Sequence, residues 1–61
     1  MKNAIGYVRR YGGSRTWSAE LHSGNAFFET YGHKRMKDAV VAANKIAKLL
    51  KWKLIEPWNL L

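Results

Sequence analysis

The residues of this chain that are able to do chemistry are few and scattered. Histidine occurs twice, as His22 and His33, and the acids are Glu20, Glu29, Asp38 and Glu56. No carboxylate pair flanks either histidine at metal-ligand spacing, and cysteine is absent, so neither a zinc site nor a disulfide is expected. Ser14, Ser18 and Ser23 fall in turns or on a strand without a recognisable base and orienting group. Glu20 and Glu29 alternate onto opposite registers, which favours cross-strand pairing with Arg or Lys over an acid–base couple. The glycines sit at turns rather than at phosphate-loop spacing. No catalytic residue, metal or cofactor is expected, and the chain does not read as an enzyme.

The side chains that do carry a message are arginines interleaved with aromatic rings. The formal net charge is +7 on 61 residues, a field that attracts polyanions and speeds encounter with them. The charge is unevenly divided. Residues 1–33 hold Lys2, Arg9, Arg10 and Arg15 against Glu20 and Glu29, whereas residues 34–61 hold seven cations against Asp38 and Glu56. Yet three of the four arginines lie in the first part. Arginine suits bidentate recognition of bases and phosphates, while lysine acts as a point charge. The first part is therefore expected to read the ligand. Lys34, Arg35 and Lys37 would supply phosphate contacts or long-range field.

The hydrophobic period shows what must position these groups. From 4 to 11, Ile5, Tyr7, Arg9 and Tyr11 alternate with Gly6, Val8 and Arg10, as in a strand. Gly12-Gly13-Ser14 signals a turn, and 15–22 alternates again. Ser23-Gly24-Asn25 makes the next turn, and 26–31 is a third short strand with Phe27, Phe28 and Tyr31 as its bulk. The period then lengthens. Met36, Val40, Ala43, Ala47 and Leu50, joined by Ala39 and Ile46, form one stripe of a helix over 34–51. The tail, 52–61, is apolar and contains Pro57, which stops any helix before it. The expected fold is α+β, a single domain with a three-stranded antiparallel sheet packed on one helix (β-β-β-α) and a hydrophobic tail. Val8, Trp17, Ala19, Leu21 and Phe27 should face the helix. The opposite face would then carry Tyr7, Arg9, Tyr11, Thr16, Ser18, Glu20, His22 and Phe28.

Tyr7-Val8-Arg9-Arg10, Thr16-Trp17-Ser18-Ala19-Glu20-Leu21, Gly24 and Phe27-Phe28, followed by the Ala-rich Asp38 to Asn44, resemble the plant ethylene-response-factor type of DNA-binding domain. The layout is also similar to that of the amino-terminal arm-binding domains of phage and transposon tyrosine integrases. Both resemblances imply three antiparallel strands against one helix, with the sheet in the major groove of DNA. Carried over by position, they imply base or phosphate contacts from Arg9, Thr16, Glu20, His22 and Phe28, with Arg15 contributing from the first turn.

The expected nucleic-acid surface is thus Tyr7, Arg9, Arg10, Tyr11, Arg15, Thr16, Ser18, Glu20, His22 and Phe28, with duplex DNA favoured over RNA. Such a domain suits an accessory or regulatory factor of phage or mobile-element type. RNA binding by the same sheet is an alternative, because exposed rings stack on unpaired bases. A further alternative is a protein partner, or self-association, through the tail, with Trp52 and Trp58 as anchors. Residues 1–6 lack the apolar run of a secretory signal, and no stretch approaches the roughly 20 apolar residues that span a bilayer. A cytoplasmic protein without a membrane partner is expected.

Overall fold

The computed structural model describes residues 2–11, 15–55 and 58–61. The first turn, Gly12-Gly13-Ser14, the side chain of Tyr11, and Glu56-Pro57 lie outside the described residues. The elements are β1 (Lys2–Tyr11), β2 (Thr16–Ser23), β3 (Ala26–His33), α1 (Met36–Leu50), β4 (Trp52–Leu54) and β5 (Asn59–Leu60). The α+β class is as expected, and β1 to β3 form the expected antiparallel unit. The sheet is larger than three strands, however. Its order is β3-β2-β1-β4, and β5 pairs with β1 beyond β4.

That enlargement comes from the tail. Lys51 ends the helix in the left-handed region, at φ 59°, with its N–H turned back to the carbonyls of Ala47 and Lys48. The chain then reverses and runs parallel to β1, pairing Lys2 with Trp52 and Ala4 with Leu54. Further on, Tyr7 pairs with Asn59 and Val8 with Leu60. The amide of Ile55 donates to the Ala4 carbonyl at 3.1 Å, and that of Leu61 to the Val8 carbonyl at 2.8 Å. The physical reason is plain: β1 would otherwise expose a full edge of unpaired peptide groups.

Between β2 and β3 the connection is a two-residue turn, since Ser23 is the partner of Ala26. Gly24 takes φ 59° there, the positive value that the first central position of a II′ hairpin turn requires. Nearer the other end, the register slips between Trp17 and Ala19, leaving two residues of β3, Tyr31 and Gly32, opposite Ser18. Gly32, at φ 76°, supplies the positive dihedral of this bulge.

The core is thin and made of small side chains. Ala39, Ala43 and Ala47, spaced four apart on α1, are buried against Val8, Ala19 and Leu21. On the helix side the centre of this contact is made of methyl groups. Trp17, Val40, Ile46, Trp52, Leu54 and Trp58 close the margins. Met36 and Leu50, at the two ends of the expected stripe, are each 44% exposed. At the start of α1, Arg35 is the cap residue, and its guanidinium meets the Asp38 carboxylate at 3.1 Å. That acid in the first turn also complements the helix dipole.

Candidate nucleic-acid interface

Pairing across an antiparallel ladder places partners on one face. On the face away from α1, β1 contributes Ile5, Tyr7 and Arg9, opposite His22, Glu20 and Ser18 of β2. Strand β3 adds Phe27 opposite His22 and Glu29 opposite Glu20. Two expectations are corrected by this register. Phe28 pairs with Leu21 and so belongs to the helix side, and Phe27 takes its place on the open face. The cause is the two-residue turn, which sets the parity of β3. Likewise Glu20 and Glu29 are direct partners rather than on opposite registers.

A small network organises the centre of this face. Glu20 is 7% exposed. Its Oε1 lies 3.1 Å from His22 Nε2, and its Oε2 lies 3.8 Å from Arg9 Nε. Glu20 thus lies beneath its two more exposed partners and does not form part of an exposed reading surface. The His22 ring meets Tyr7 edge-on at 5.1 Å and Phe27 at 4.8 Å. A shallow depression of about 260 Å³ opens between Tyr7, Glu20, His22 and Leu61. The tail therefore reaches the margin of the face with Leu61, while Arg9 and His22 keep side-chain exposures of 45% and 41%.

Other expected site residues fall elsewhere. Ser18 is wholly buried, and its hydroxyl finds no hydrogen-bond partner among the described residues, so it is not a surface contact. Arg10, the partner of Trp17, is on the helix side but exposed. Thr16 is half-buried at the start of β2, and Arg15 precedes it at φ 54°. Trp52 and Trp58, expected as partner anchors, instead pack on the core. The Trp58 ring covers Gly6, whose missing side chain makes room for it.

The register also gathers charge in a way that the linear sequence conceals. Arg10, Trp17 and His33 are aligned across β1, β2 and β3. Consequently Arg9 and Arg10 at the end of β1, Arg15 before β2, and Lys34, Arg35 and Lys37 after β3 all stand at one end of the molecule. All six are exposed. Among the described residues, no group of three or more His, Asp or Glu side chains is placed to hold a metal ion. No described helix is long and apolar enough to cross a membrane. Compared with protein-family models, curated proteins and solved structures, the chain matches none.

Proposed function

We propose that this protein binds nucleic acid, with duplex DNA as the ligand, through its basic end. The observation that carries the reading is the convergence of Arg9, Arg10, Arg15, Lys34, Arg35 and Lys37 from three separate segments onto one end. Three of the four arginines of the sequence lie in β1 or immediately before β2, where their planar, forked donors suit phosphate and base edges.

The test is a fluorescence-anisotropy titration of labelled duplex DNA between about 50 and 200 mM salt. The logarithm of the binding constant should fall linearly with that of the salt concentration, at about 0.9 per phosphate contacted. The double variant Arg10→Ala, Arg15→Ala should shallow that slope by about two phosphate contacts without altering the circular dichroism spectrum. Absence of affinity for the duplex at low salt overturns the reading. Parallel titrations with duplex and single-stranded RNA rank the RNA alternative.

A second reading is supported by exposed apolar residues of the tail. Ile55, Leu60 and Leu61 are each at least half exposed, along the edge where β4 and β5 meet β1. They would seat a protein partner or a second copy. Sedimentation equilibrium of the free protein that fits a monomer throughout removes self-association.

A further inference from the structure

The rings of the open face form a row that crosses three strands. Tyr7 comes from β1, His22 from β2 and Phe27 from β3, with ring centroids 5.1 and 4.8 Å apart. The row is fixed from below. Glu20 holds His22 by its Nε2, and the imidazole in turn abuts both neighbouring rings. Phe27, 54% exposed at the outer end, is a large apolar ring presented to water. Arg9 lies beside the row, and the depression next to Tyr7 and His22 leaves room for a flat ring system.

We propose that this row is a stacking platform for unpaired bases, so that the protein holds single-stranded stretches of the nucleic acid whose phosphates its basic end contacts. This inference rests on the nucleic-acid reading above and specifies the form of the ligand. Rings along a sheet face, flanked by cations that follow the backbone, are what single strands require: every base has a π-face, whatever the sequence. A fully paired duplex cannot use such a row, because its bases are already stacked on one another.

The experiment titrates wild type, Phe27→Ala, Phe27→Trp and Arg15→Ala with a single-stranded DNA oligonucleotide and with its duplex, at one salt concentration. Phe27→Ala should weaken single-strand binding about tenfold, the effect of losing one base–ring stack, and leave duplex binding within about twofold. Phe27→Trp should retain affinity, and its emission should be quenched by the single strand. Trp17 is the cross-strand partner of Arg10 at the basic end, so the quench is read as the excess over wild type, whose Trp17, Trp52 and Trp58 give the background. Arg15→Ala should weaken both ligands alike. If Phe27→Ala changes neither affinity, or both equally, the stacking platform is wrong and nucleic-acid binding stands. If Phe27→Ala does not fold, the Phe27→Trp signal decides, and absence of excess quenching overturns the proposal. If wild type binds neither ligand, the nucleic-acid reading falls and the platform with it.

Discussion

A β-carbon on Gly6 would stand 2.7 Å from two ring carbons of Trp58. Glycine is therefore set here by its neighbour: the indole lies where a side chain would otherwise be. Gly6→Ala forces that half-buried ring to move and should cost about 1–3 kcal/mol, the range for overpacking, read as a lower urea midpoint. Ser18 poses the opposite case. Its hydroxyl is buried, and no described residue offers a bond to offset its desolvation. Ser18→Ala should raise stability by about 1 kcal/mol, seen as a higher midpoint at unchanged m-value, and should leave nucleic-acid affinity untouched. A loss of affinity would return Ser18 to the interface from which its burial excludes it.

At the scale of the elements, the helix is held by its smallest residues. Ala43 is fully buried against the sheet, so Ala43→Leu should lower stability by about 1–3 kcal/mol. Asn44→Leu, one residue on and exposed, should be close to neutral. The helix terminus offers a gain. Lys51 is left-handed at φ 59°, a conformation that costs a lysine more than a glycine. Lys51→Gly should stabilise by about 0.5–1 kcal/mol, measured by thermal unfolding. These elements were largely legible from the order of residues alone. A period of two marks β1 and β2, and an Ala-rich period near 3.6 marks α1. The phase of β3 was not legible. Phe27 and Phe28 stand side by side, so alternation cannot choose between them, and the choice falls to a turn one residue shorter than its Ser-Gly-Asn composition implies. The pairing of β4 was hidden for another reason. Three residues, Trp52-Lys53-Leu54, carry no period, and their partner is Lys2 to Ala4 at the far end of the chain.

Taken as a whole, the molecule is an elongated body of 36 × 18 × 18 Å whose cations are spread along it but densest where β1 ends and α1 begins. The candidate surface was legible in kind but not in place. Arg9, Arg15 and His22 are indeed exposed or half-exposed, yet Ser18 and Glu20 are buried and Phe28 is on the other side. Burial depends on what lies above a residue, and here that is decided by strand register and by the return of the tail. Pairing Lys2 with Trp52 and Val8 with Leu60 also joins the two extremes of the chain. Such pairing demands closure of nearly the longest loop that a 61-residue chain can make. The hairpin of β2 and β3 needs only a two-residue turn, whereas β4 and β5 must find β1 across almost everything else. The expected kinetic signature is slow folding for the size, since non-local strand pairing dominates the search. A chain halted before Trp52 would present the unclosed edge of β1 to its neighbours, and it is in that interval, rather than in the finished fold, that this protein is most exposed to aggregation.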